Sequence, residues 1–321
     1  MPESRSRPGR SCPRHYRYSP AVFARPADLQ ARALYIVGGL YGNPFALGAV
    51  LELARRESAT LVFNGDFNWF NVDPENFREI NETVLRYFAL RGNVETELAG
   101  EDEGAGCGCA YPDRVGDAEV ERSNEILGRL RETARGHPRL RARLAGLPMH
   151  LVAEVAGLRI GIVHGDAESL AGWQFSQEAL RESPERARAL LAGAGTDVFA
   201  CTHTCLPVMQ EFATPHGAAL IVNNGAAGMP NFRDSRFGLI TRIADTPSGE
   251  ALYGTRIGAV HVEAIPVRHD HEAWLAEFDR VWPAGSPASL SYRKRIASGP
   301  AYGMEQAVRV SRRADALARL A

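Results

Sequence analysis

Four short polar blocks of this chain each lie where a predicted strand ends, and each carries a side chain that can bind a metal ion. The side chains are Asp66, Asn93, His164 and His203. Together they offer one carboxylate, one amide oxygen and two imidazoles. This mixed oxygen and nitrogen set suits Mn, Fe, Zn or a similar divalent ion better than Ca. The sequence therefore predicts a metal site with these four residues as its ligands.

The elements that position the first two blocks alternate between strand and helix. Residues 34–37 predict a buried strand, and residues 44–56 have the apolar spacing of a helix with proline in its first turn. Residues 60–63 predict the strand that ends at Asp66, and a helix over 74–88 with Phe88 on its apolar face leads to the block that holds Asn93.

The middle and the end of the chain predict a different arrangement. The glycine-rich stretch 95–117 has no clear period and predicts a long loop. After it we expect two helices and then a strand pair joined at Gly157. Five short strands that form a second, largely antiparallel sheet are expected to follow. These elements are predicted at 118–135 and 138–145, at 150–156 and 158–163, and at 197–200, 208–212, 218–223, 238–243 and 260–265. An amphipathic helix over 306–320 could pack on the body or on another subunit, so an oligomer is possible.

Composition excludes several classes of protein. With 321 residues, of which 45% are hydrophobic, the chain can fill a sizeable core. Its net charge of −1 predicts neither nucleic acid nor an anionic membrane as a partner. No apolar run reaches the roughly 20 residues of a membrane span, and the polar start of the chain does not fit a secretory signal, so we expect a cytoplasmic protein.

In order, residues 36–47, 62–66, 91–93, 160–166, 202–208 and 223–225 resemble the blocks of the calcineurin-like metallophosphoesterases. The resemblance implies an α/β fold, a four-layer αββα sandwich over residues 33–270 with a helical insertion at about 95–147. An N-terminal arm over 1–32 precedes it and a helical C-terminal extension over 271–321 follows. The resemblance also implies a hydrolase that cleaves a phosphate mono- or diester of a small substrate with metal-activated water.

Position by position, the resemblance covers one of the two metals of the family. Asp66, Asn93, His164 and His203 match the ligands of that metal, and the first three are also expected to be catalytic. The ligands of the other metal align with Gly39, Tyr41 and Cys205, and Val94 stands at the position of the general-acid histidine. We therefore expect a reduced or altered metal centre.

Several alternatives remain open from the sequence. The second site could be rebuilt for Zn or Fe with Tyr41, Cys205, Cys107 and Cys109. The missing acid could be replaced by Tyr41 or His150, or made unnecessary by a good leaving group. The chain could instead be a non-catalytic descendant that binds a phosphorylated ligand, or a redirected iron enzyme. Weaker candidates for contact with the substrate are Trp69, by stacking, and Arg233, as a phosphate clamp.

Overall fold

Two mixed β-sheets face each other at the centre of the computed structural model, which describes residues 7–101, 104–215 and 217–310. The strands are β1 (Leu29–Gln30), β2 (Ala33–Val37), β3 (Thr60–Asn64), β4 (Phe88–Leu90), β5 (His150–Val155), β6 (Leu158–Val163), β7 (Val198–Cys201), β8 (Val208–Thr214), β9 (Gly217–Asn223), β10 (Gly238–Ala244), β11 (Tyr253–Ile257), β12 (Val260–Val267) and β13 (Val308–Arg309). One sheet has the order β11-β12-β10-β2-β3-β4, and the other has the order β1-β5-β6-β7-β9-β8-β13.

Helices cover the outer faces of both sheets. They are α1 (Pro44–Glu57), α2 (Pro74–Val84), α3 (Asn93–Ala99), α4 (Asp117–Arg135), α5 (Pro138–Ala145), α6 (Gln177–Glu182), α7 (Pro184–Ala194), α8 (His271–Val281), α9 (Pro287–Ser298) and α10 (Met304–Ala307). Two short 3-10 helices, Arg14–Tyr16 and Pro20–Phe23, precede the sheets. Within the described ranges, no helix is both long and apolar enough to cross a membrane.

Alternating side chains of the central strands fill two different cores. On β2, Leu34 and Ile36 belong to the core between the two sheets, whereas Tyr35 and Val37 pack under the helices on the outer face. A third core, which includes Phe199 of β7, lies between the other sheet and α7. Because both faces of the strands are buried, they are apolar almost throughout, as is typical of strands covered by helices. The predicted four-layer αββα sandwich is confirmed.

The ligand-bearing strands are parallel within each sheet. The strands β2, β3 and β4 pair in parallel, and so do β6, β7 and β9. The carboxyl ends of β3 and β4 therefore lie at one edge of their sheet, and those of β6 and β7 lie at the matching edge of the facing sheet. This arrangement brings the four polar blocks to one end of the sandwich.

Three expectations about the elements were wrong. The helix predicted over 74–88 ends at Val84. Phe88 is the first residue of β4 because it pairs with Val62 of β3, and 45% of its surface is exposed. The loop predicted over 95–117 begins as α3. The five late strands do not form a sheet of their own, since β7, β8 and β9 join one sheet and β10 and β12 join the other beside β2. Strand propensity is local and does not specify the pairing partner.

The two ends of the described chain pack on the seven-stranded sheet. Near the amino end, β1 pairs with β5, and Tyr16 and Phe23 are fully buried. At the other end, Val308–Arg309 pairs with β8 instead of continuing a helix, which corrects the start of the helix predicted over 306–320. The rest of that prediction, residues 311–320, lies outside the described residues.

Candidate metal centre

The carboxylate of Asp66 lies just beyond the end of β3, on a turn that glycines make possible. Gly65 and Asp66 both have positive φ, at 76° and 52°. A Cβ on Gly65 would lie 2.5 Å from the backbone nitrogen of Gly92, and a Cβ on Gly92 would lie 2.2 Å from Asp66 Oδ1. Only residues without a side chain allow the two loops to approach this closely. The backbone N–H of Val94 then donates to Asp66 Oδ1 at 3.1 Å.

His164 follows β6 and is held in one tautomer. Its Nδ1 lies 2.9 Å from the carbonyl oxygen of Asn64, which can only accept, so Nδ1 carries the hydrogen and Nε2 has a free lone pair. That Nε2 lies 3.2 Å from Asp66 Oδ2. A histidine fixed through its other nitrogen by a carbonyl oxygen is the usual arrangement of a metal ligand.

His203 follows β7 and is fixed in the opposite tautomer. Its Nε2 lies 3.0 Å from the carbonyl oxygen of Cys109, so the lone pair is on Nδ1, which faces His164 Nε2 at 3.2 Å. Burial and the neighbouring His164 lower the pKa of His203 to about 3, which keeps this imidazole neutral and able to bind a cation.

Three acceptor atoms therefore converge on one point, and they require positive charge there. The ligand atoms of Asp66, His164 and His203 all lie within 4.8 Å of one another. Burial opposes the charged form of His164, but the Asp66 carboxylate raises the pKa of this imidazole. Burial likewise opposes ionisation of Asp66, but the two histidines lower its pKa. Separations of about 3 Å between ligand atoms are those of groups that share one ion, so the residues fit a divalent cation.

Asn93, the first residue of α3, lines one cavity together with Asp66 and His203. Its side-chain nitrogen donates to the carbonyl oxygen of Cys107 at 2.9 Å, which fixes the orientation of the amide. Its Oδ1 is buried and accepts no hydrogen bond from the described residues. A buried acceptor without a partner is costly, and a cation would satisfy this one.

Glu95, which the sequence reasoning did not single out, supports the loops around the site. This fully buried carboxylate accepts hydrogen bonds from the backbone of Asp66 at 2.7 Å, of Gly92 at 3.0 Å and of Asn68 at 3.1 Å, and from the Asn68 side chain at 3.2 Å. Burial, followed by the charge of Asp66, raises its pKa to about 7. The signal in the sequence was its position three residues after Gly92, the spacing of a glutamate that caps a helix.

The positions that align with the lost ligands also meet in space. Tyr41 Oη lies 2.8 Å from Cys205 Sγ, and a Cβ on Gly39 would lie 3.1 Å from the same Tyr41 oxygen. Tyr41 and Cys205 both have positive φ, at 57° and 61°, a conformation that is rare outside glycine and clusters at functional sites. Burial raises the pKa of both groups, so both keep their protons.

The other two cysteines of the proposed rebuilt site contribute mainly through their backbone. The carbonyl oxygens of Cys107 and Cys109 hold Asn93 and His203, as described above, and Cys109 Sγ lies 3.6 Å from the Asn93 amide nitrogen. Among the residues that the structure describes, one group of three His, Cys, Asp or Glu side chains converges as metal ligands do, and it contains no thiol.

Asp66, Asn93 and His203 line a cavity of about 320 Å³, and His164 is not one of its lining residues. Further lining residues include four aromatic side chains, Trp69, Tyr111, Trp173 and Tyr292. Trp69 is among them, packed edge to face on Tyr292, and Trp173 lies edge to face against His203. Arg233 is exposed and is not one of the lining residues. The guanidinium groups in the cavity belong to Arg114 and Arg295, neither of which any pattern in the sequence pointed to.

No family model and no curated protein matches the sequence. Solved structures do match it. A metallophosphoesterase from Sphaerobacter thermophilus is similar with a TM-score of 0.55 and 19% identity over 84% of this chain and 100% of its own. A hypothetical protein from Pyrococcus horikoshii OT3 is similar with a TM-score of 0.53 and 16% identity over 85% of this chain and 100% of its own. The chain therefore has the fold of the calcineurin-like metallophosphoesterases.

Proposed function

We propose that this protein is a metal-dependent phosphoesterase that hydrolyses a mono- or diester of a small phosphorylated substrate. The observation that carries the proposal is the convergence of Asp66, His164 and His203, two of which line a cavity, in a fold shared with a metallophosphoesterase. The donor set suits Mn, Fe or Zn. The five free thiols suit the reducing cytoplasm, where we place the protein.

Asp66, Asn93, His164 and His203 would hold the ion. When bound, a divalent ion lowers the pKa of a water molecule and polarises a phosphoryl oxygen. The protein's part is to keep the acceptor atoms in place before the ion arrives. Carbonyl oxygens fix the two imidazoles, and the Val94 N–H orients Asp66.

The leaving group must depart with little help from an acid. Val94, which stands at the position of the family's general acid, lines the cavity but has no acidic proton to donate to a leaving group. The ring of His150 packs against Tyr18 and Phe23 and does not line the cavity. The phenol of Tyr41 lies in the cavity but keeps its proton strongly. We therefore expect turnover to fall steeply as the pKa of the leaving group rises, with aryl esters cleaved and alkyl esters nearly inert.

The test combines metal content with hydrolysis of bis(p-nitrophenyl) phosphate. Purified protein should contain a divalent ion and release p-nitrophenol, and His164→Ala should lose both properties, because it removes a ligand atom from the buried cluster. The matched control is His15→Ala, since His15 is an exposed histidine of the arm and is not one of the cavity-lining residues. Retained turnover in His164→Ala would contradict the proposal.

The replaced residues at the second metal position favour one alternative, a non-catalytic descendant. That protein would show a rise in melting temperature with added metal but no turnover on any phosphate ester. A redirected iron enzyme would contain iron bound through sulfur and would lose it in Cys205→Ala. Elemental analysis of wild-type protein and of Cys205→Ala identifies the iron enzyme, and the hydrolysis assay separates the non-catalytic descendant from the proposed enzyme.

A further inference from the structure

The positions that align with the ligands of a second metal ion hold a glycine, a phenol and a thiol, which are Gly39, Tyr41 and Cys205. Tyr41 and Cys205 are in direct contact at 2.8 Å. A Cβ on Gly39 would already lie 3.0 Å from Tyr41 Cζ, so a carboxylate at this position would collide with the tyrosine ring. The pair offers a phenol and a thiol in place of a carboxylate and two imidazoles. This part of the cavity therefore lacks the carboxylate and the imidazoles that would hold a second metal ion.

A guanidinium lies beside the same pair. Arg295, on α9, donates through Nη2 to the carbonyl oxygen of Cys205 and through Nε to the carbonyl oxygen of Pro230 at 3.4 Å. Both partners are neutral, and no carboxylate among the described residues forms an ion pair with Arg295. The side chain is partly exposed and lines the cavity together with Asp66 and His203. Its positive charge is therefore available to a ligand in the cavity.

The other arginine of the cavity is already engaged. The Arg114 guanidinium lies over the ring of Trp173 at 5.2 Å and 3.6 Å from a carboxylate oxygen of Glu178. An ion-paired guanidinium must give up its partner before it can bind an anion. Arg295 has no carboxylate partner among the described residues to release before it binds an anion.

We infer that the site binds one metal ion and that Arg295 supplies the positive charge that a second ion would otherwise supply. Its guanidinium would donate hydrogen bonds to the phosphoryl oxygens of the substrate. In a two-metal site both cations stabilise charge on the transferred group, so the loss of one leaves a deficit of positive charge. Arginine remains charged at any working pH, and its planar fork matches two phosphate oxygens. The inference rests on the proposed function, and it identifies the residue of the C-terminal segment that contacts the substrate.

The decisive variant is Arg295→Gln, which removes the charge and keeps much of the side chain. Elemental analysis should find one metal ion per chain in wild-type protein and in the variant alike. Calorimetric titration of the metal-loaded proteins with inorganic phosphate should show affinity weakened about 10- to 100-fold in the variant, the usual effect of losing hydrogen bonds to a charged group. Arg295→Lys, which keeps the charge without the fork, should lie in between, and it gives a second measurement if Arg295→Gln does not fold.

Arg233→Gln is the matched control, because it removes an exposed arginine that does not line the cavity. It should bind phosphate as wild type does. Two metal ions per wild-type chain, or unchanged phosphate affinity in Arg295→Gln, would overturn the inference while leaving the proposed phosphoesterase intact. Wild-type protein that contains no metal and hydrolyses no ester would instead overturn the proposed function.

Discussion

Replacement of Glu95 by glutamine tests whether a buried carboxylate holds the loops of the metal centre. In the wild-type protein Oε2 accepts the backbone N–H groups of Asp66 and Gly92, and Oε1 accepts the backbone and side-chain N–H groups of Asn68. Glutamine retains one oxygen, so two of these bonds are lost and an amide N–H points at other N–H groups. At about 1–3 kcal/mol for each buried donor left without a partner, Glu95→Gln should destabilise the fold by about 2–6 kcal/mol.

The same variant should bind metal more weakly, because Asp66 loses the bond that fixes its backbone. Loss of a group that supports a ligand typically costs about 10- to 100-fold in metal affinity. Stability is measured by urea denaturation and affinity by titration with Zn²⁺. Both assays are run at pH 8, above the pKa of about 7 that burial gives this carboxyl.

Glu121→Gln, an exposed change of the same type on α4, is the control and should match wild type in both assays. A loss of less than about 1 kcal/mol in Glu95→Gln, together with unchanged metal affinity, would refute the reasoning, since it would mean that the two donors left without an acceptor find other partners at no cost.

Three further changes test the scaffold. Arg242→Met removes the buried partner of Glu263, an ion pair of 2.6 Å, and should cost about 3–5 kcal/mol in urea denaturation; a neutral effect would contradict this. Asp73→Ala removes the cap of α2 and should cost about 1 kcal/mol. Because two backbone N–H groups and an arginine lower the pKa of Asp73, that difference should be present above about pH 4 and vanish as pH falls through the lowered pKa, in paired denaturation curves. Tyr16→Phe removes the hydroxyl that donates to Glu97 at 2.6 Å and should lower the free energy of unfolding by about 1–3 kcal/mol in urea denaturation. Equal stability would show that this hydrogen bond does not stabilise the packing of the N-terminal arm.

Local patterns in the sequence predicted the elements well where one residue type controls them. Asn43 and Asp73 cap α1 and α2 just before a proline, and both helices begin where the pattern predicted. Patterns failed where pairing decides the outcome. Phe88 fits a helix by its spacing, but the backbone of β3 offers it a strand partner, and no local feature of residues 197–265 shows which strands join which sheet.

By itself, the sequence determined the types and the order of the groups at the centre. A carboxylate, an amide and two imidazoles at four strand ends already predicted a cation site, because this mix of oxygen and nitrogen ligands suits a divalent ion. Only the tertiary structure decided what surrounds that site. Cys205 and Arg295 stand 90 residues apart, and their contact depends on how α9 packs against the sandwich. The spacing that placed Glu95 at a helix start did not reveal that its carboxylate also binds the loop of Asp66. Such contacts follow from the packing of distant elements, which local sequence patterns do not encode.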